Sequence, residues 1–161
     1  MTVHASGQYV LTLVIAAAIL AYVIFQQLRT RLVNPRRLVT LPGIMILLGI
    51  FNLDKHPPSG SAALLAIAAS LVVAVVFGLA RGFSVQTWRE GGAVFRKGNA
   101  VTLVLWIAGL ALRVLIGFVA AKNGVNQAIT YGEAPLFFGV TLAAQNILIW
   151  YRADEQGATV R

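Results

Sequence analysis

The chain has 161 residues, 58% hydrophobic and only 11% charged, with a mean hydropathy of +0.80. That balance excludes a soluble domain of ordinary make-up and points to a lipid bilayer. The net charge of +8 would suggest nucleic acid in a soluble protein, but here the basic residues sit between apolar stretches, which removes that partner class and invites a topological reading.

A hydrocarbon core of about 30 Å needs about 20 apolar residues in a helix. The first candidate runs from Tyr9 to Phe25. It reads as a span and not as a signal peptide, because no Lys or Arg precedes it, no small-residue cleavage site follows it, and Arg29 and Arg31 come directly after. The second, Leu38 to Leu53, covers only about 24 Å at helical rise. It contains Pro42, which with Gly43 is expected to kink or cap its start, and flanking arginines can extend it by snorkelling. DKHPPSG, residues 54 to 60, then makes a tight exposed turn.

The third span runs from Ser61 to Ala80. After it, Phe83, Val85 and Thr87 alternate with polar or amphipathic neighbours, Glu90, Gly91 and Gly92 supply turn chemistry, and an apolar run resumes at Ala93. A short β-hairpin over residues 83–97 is expected. The plainer alternative is a basic loop lying on anionic headgroups, but Glu-Gly-Gly continues a helix poorly. The fourth span is Ala100 to Ala121 and the fifth Ala134 to Tyr151. The expected fold is therefore all-α: one integral membrane domain over residues 1–161 with five transmembrane helices and the hairpin between the third and fourth.

Orientation follows from the cations. Arg29, Arg31, Arg36 and Arg37 lie between the first and second spans, and Arg81, Arg89, Arg96 and Lys97 between the third and fourth; the alternate connections hold Lys55 and Lys122. The positive-inside rule puts the N-terminus outside, the hairpin in the cytoplasm and the C-terminus inside. Tyr9, Tyr22, Tyr131, Trp150 and Tyr151 fall near the boundaries, as an aromatic belt does.

One residue breaks the apolar pattern. Arg113 lies deep in the fourth span, about 12 Å from its outer end, where an arginine raises the insertion free energy by about 2.5 to 3.5 kcal/mol. A guanidinium does not discharge itself by losing a proton, so it needs acceptors, water or an anion. Matching depth from the outer ends places Ser70 and Thr141 near its level and Gln145 a turn deeper. Asp54 and Glu133, at outer ends, are the carboxylates an extended arginine could meet. Arg113 is thus either a hydrogen-bonded lock on helix register or the basis of a site for an anionic or polar ligand.

Spacing supplies a packing argument. Gly109, Arg113, Gly117 and Ala121 recur every four residues, as do Ala62, Ala66, Ser70, Ala74 and Gly78. Small-residue ridges let helices approach closely in membranes, so the third and fourth spans are expected to cross near Ser70 and Arg113. Gln145 and Asn146 read as interhelical hydrogen-bonding groups. His4 and His56, both on the expected outer side, make a poor metal or haem constellation and read more plainly as solvated surface. The chain has no cysteine, which excludes thiol relay, disulfide exchange and thiolate ligation. No phosphate-binding loop, triad or paired intramembrane carboxylate is visible, so neither enzymatic chemistry nor a cofactor or metal is expected.

Arg36 and Arg37 leading into LPGIM and Gly49, then FSVQTWREGGAVFRK, then LRVLIG around Arg113, together resemble the bacterial CcdC-type family of small multi-span membrane proteins. The resemblance covers about residues 29–151, with Pro42, Met45, Gly49, the hairpin and Arg113 as its matched positions. It implies a multi-pass protein of the bacterial cytoplasmic membrane, associated by name with cytochrome c maturation, and no established enzymatic activity. The expected role is binding, as an accessory subunit of another membrane complex or a self-associating scaffold. A small transporter with its site at Arg113 is the alternative, and haem handling through His4 or His56 a minor one.

Overall fold

A computed structural model describes residues 29–155. The expected first span lies outside the described residues, as do His4, Tyr9 and Tyr22. Within them run β1 (Arg31–Leu32), α1 (Pro35–Lys55), α2 (Ser61–Ser84), β2 (Gln86–Glu90), β3 (Ala93–Lys97), α3 (Ala100–Lys122), α4 (Gln127–Gly132) and α5 (Ala134–Glu155).

The apolar runs become helices where their ends can be capped. Asn34 Oδ1 accepts the Arg36 N–H at 3.1 Å, and Pro35 occupies the first helical position, where a missing N–H costs nothing. Asn99 and Thr102 form a reciprocal capping box at the start of α3. The C-terminal carbonyls of α2 are met by Arg152 Nη1, which donates to Gly82, Phe83 and Val85 at 3.0 to 3.3 Å, and by Asn99 Nδ2, which donates to Ser84 at 2.8 Å. Helix α1 starts before the expected span and runs through Pro42, so the proline lies inside the helix and does not begin it.

Four helical segments, Leu38–Lys55, Ser61–Ser84, Ala100–Lys122 and Gln127–Glu155, are long and apolar enough to cross a membrane. Val39, Leu65, Val72, Val104, Val114 and Phe118 are each more than half exposed, an outer surface suited to hydrocarbon and not to water. Helix α5 is central. It runs antiparallel to α1, with Gly49 against Leu136 and Gly139 against Ile46 and Pro42, and parallel to α2, with Gly78 against Thr141 and Ala144 and Gly82 against Leu148. Helix α3 packs on the other side of α2 through Gly109 and Phe77 and through a cluster of Ala63, Ala120, Val125 and Ile129. At Gly78 the small ridge of α2 meets α5, while Ala63 and Ala66 nearer its start share a small cavity with Arg113, Gly117 and Ala120 of α3, close to the level at which the two spans were expected to cross.

The hairpin is present but begins at Gln86, because α2 continues through Ser84. Gly91 and Gly92 both have positive φ, 58° and 81°, and join a ladder that closes with Glu90 opposite Ala93. Two left-handed residues in a two-residue loop match the twist of the strands, and glycine adopts them without steric cost. Strand β1 adds a third member beyond the expected hairpin, giving the order β1-β3-β2. Replacing Gly91 and Gly92 together with alanine is expected to destabilise the hairpin by about 1–2 kcal/mol, read as faster amide exchange from β2 and β3. Unchanged exchange there would refute the turn assignment.

Candidate functional site

Two arginines, Arg81 buried and Arg113 largely so, organise the polar interior, one toward each end of the helices. Arg113 finds its carboxylate: Nη2 lies 2.8 Å from Glu133 Oε2 and donates to the Thr130 carbonyl at 2.6 Å. Glu133 is one of the two outer-end carboxylates expected within reach of an extended arginine, and both partners come from the connection between α3 and α5. There Asn126 caps α4 by accepting the Ala128 N–H at 2.9 Å. The turn of helix that follows brings Thr130 over Gly117 and turns Glu133 inward between α4 and α5 until it is 2% exposed.

Ser70, fully buried on α2, contributes a hydroxyl beside the Glu133 carboxylate, although Ser70 Oγ and Glu133 Oε1 make no hydrogen bond of good geometry among the described residues. Arg113 also stands over the Phe137 ring, 5.8 Å from its centroid. Its outer flank lines a cleft of about 420 Å³ between α3, α4 and α5, whose wall includes Gly117, Phe118, Thr130, Tyr131 and Phe138.

The other expected members of the Arg113 cluster are elsewhere. Thr141 serves Arg81, a residue read from sequence as part of the cytoplasmic loop and found in the last turn of α2, 2% exposed. Arg81 Nη2 donates to the Thr141 hydroxyl and carbonyl, Nε donates to the Phe77 carbonyl at 3.2 Å, and the guanidinium lies 3.9 Å over the Trp106 ring. Carbonyls, a hydroxyl and an aromatic face surround this cation. Gln145, a turn beyond Thr141, is also buried, and its Oε1 has no hydrogen-bond partner among the described residues.

Of the packing residues, Ala66 and Gly117 face a cavity of about 10 Å³ that Arg113 and Glu133 also line, Ala74 is fully buried, and Gly109 abuts Phe77. His56 is exposed, and among the described residues no cluster of His, Asp and Glu could hold a metal.

Asn146 has a separate task. Pro42 offers no N–H to the Leu38 carbonyl one turn back in α1, and Asn146 Nδ2 donates to that carbonyl at 2.8 Å. Its Oδ1 accepts from Arg96 Nη1 at 3.4 Å. Asn146→Ala is expected to cost about 1–2 kcal/mol in detergent-solubilised protein. Most of that loss should vanish in a Pro42→Ala background, where residue 42 supplies the N–H itself. Equal losses in both backgrounds would refute the compensation.

Together these observations define a polytopic helical membrane protein with a neutralised deep arginine beside an open cleft. No known protein family, no curated protein and no solved structure matches the chain.

Proposed function

We propose that the chain is a multi-pass protein of the bacterial cytoplasmic membrane that acts by binding, as an accessory or scaffold component, without chemistry of its own. The observation that supports this is the Arg113–Glu133 contact at 2.8 Å. The deepest cation carries its own counter-charge, so its field is spent inside the bundle and not on a substrate anion. Arg81, Arg152 and Asn146 are likewise turned to neighbouring helices and strands. In this reading five spans cross the bilayer, the N-terminus outside and the basic sheet and C-terminus inside. The CcdC-like resemblance points the same way and rests on the residues quoted for it.

Affinity capture of full-length protein from native membranes in mild detergent is expected to retain a membrane-protein partner or a second copy. A strictly monomeric protein without companions would overturn the proposal.

The cleft favours one rival reading, a small transport or permeation protein whose polar ligand enters beside Arg113. In that case Arg113→Leu would insert normally but lose ligand-induced thermal stabilisation. Haem handling through His4 or His56 would instead give a Soret band on haem titration.

A further inference from the structure

At the basic end of the molecule, Arg31 of β1 stands directly opposite Arg96 of β3. Like charges facing each other across an antiparallel ladder are unfavourable, and neither guanidinium meets a carboxylate among the described residues. Glu133, which neutralises Arg113, lies just before α5 at the opposite end of the bundle. Burial lowers the Arg96 pKa, and the Arg31 charge lowers it further. Such a pair calls for an anion that neither residue finds among the described residues.

Beside it lies an apolar groove of about 330 Å³ between α1 and α5, walled by Leu38, Pro42, Ile46, Ala143, Asn146 and Trp150. The two features share a residue, since Asn146 lines the groove and accepts from Arg96 Nη1 at 3.4 Å. Trp150 at the groove is the residue type that settles at headgroup level.

We propose that this face binds an anionic phospholipid, its phosphate held between Arg31 and Arg96 and one acyl chain lying in the α1–α5 groove. The proposal rests on these helices lying in a bilayer and is independent of the accessory role. Charge complementarity selects the ligand. A lipid with net negative charge offsets two opposed cations, whereas a zwitterionic headgroup brings a third cation to them. The apolar groove selects a lipid over free phosphate.

The test uses full-length protein in mild detergent, with lipid retention followed by native mass spectrometry. Phosphatidylglycerol is expected to be retained roughly tenfold more strongly than phosphatidylcholine with the same chains. The double variant R31Q/R96Q should lose this preference while its lipid-free unfolding midpoint holds or rises, because the like-charge opposition is gone. Gly43 also lines the groove, and a Cβ there meets nothing within 4 Å. Gly43→Leu should therefore fill the groove without backbone strain and weaken retention of both lipids.

Equal retention of the two lipids, or a preference that survives R31Q/R96Q, would overturn the proposal. So would full binding in Gly43→Leu, which would mean that the groove has another occupant, such as residues 1–28. Inorganic phosphate stabilising the protein as well as phosphatidylglycerol does would reassign the arginines to a free anion.

Discussion

Glu133→Gln is expected to be among the most damaging single substitutions in the described chain, lowering stability in detergent by about 3 kcal/mol. The variant keeps the shape of the side chain and removes its charge, leaving Arg113, at 11% side-chain exposure, with neutral acceptors alone: the Thr130 carbonyl and the new amide oxygen. Arg113→Leu should cost less. A stranded carboxyl can discharge itself by taking up a proton, whereas a guanidinium in a protein stays charged. Combining Arg113→Leu with Glu133→Leu should recover most of the loss, because a buried ion pair replaced by apolar groups is often near neutral. A double-mutant cycle in reversible unfolding from mixed micelles measures the coupling. Additive losses would mean that the pair is close in space but energetically idle.

The second large effect is steric. A Cβ built on Gly49 would lie 2.4 Å from the Leu136 backbone nitrogen, and one on Gly78 2.5 Å from the Thr141 carbonyl oxygen. Backbone atoms of a packed helix cannot step aside as a flexible side chain can. Gly49→Ala and Gly78→Ala must therefore push α1 or α2 away from α5, with expected losses of about 2–3 kcal/mol. Gly43 supplies an internal control in α1. With open space around its Cβ, Gly43→Ala should be neutral or stabilise by up to about 1 kcal/mol through helix propensity alone. The same micelle unfolding assay decides, and indistinguishable midpoints for Gly43→Ala and Gly49→Ala would mean that the α1–α5 crossing is looser than described.

How much of this was legible in the sequence depends on the distance over which each feature is encoded. The long apolar stretches within residues 29–155 and the hairpin are local signals, carried by hydropathy and by Glu90-Gly91-Gly92, and the structure follows them to within a few residues at the ends. The partners of Arg113 were harder to read. Depth counting assumes straight helices joined by featureless loops, and the turn of helix at Gln127–Gly132 brings Glu133 inward where an end-of-span residue was expected. Arg81 was missed because it follows the apolar run and so counts as a loop cation. Helical phase held the missing signal: continuing the ridge of Ser70, Ala74 and Gly78 by one more turn places Arg81 on the same buried face. Thr141 was correctly singled out as a polar group inside a span and paired with the wrong arginine. Depth alone does not distinguish two cations when only one has been counted. The sharing of labour between Pro42 and Asn146 joins residues far apart in the chain, and nothing local to either announces it.

The position of α5 also sets an order of assembly. Its side chains, with Glu133 just ahead of it, tie the bundle together: Glu133 holds α3, Thr141 holds α2, Asn146 holds α1 and the sheet, and Arg152 closes the end of α2. It is also the last of the described helices to be synthesised. Until it emerges from the ribosome, α2 and α3 have their own contact at Gly109 and Phe77 but lack these ties, and the arrival of α5 joins them and α1 into one body.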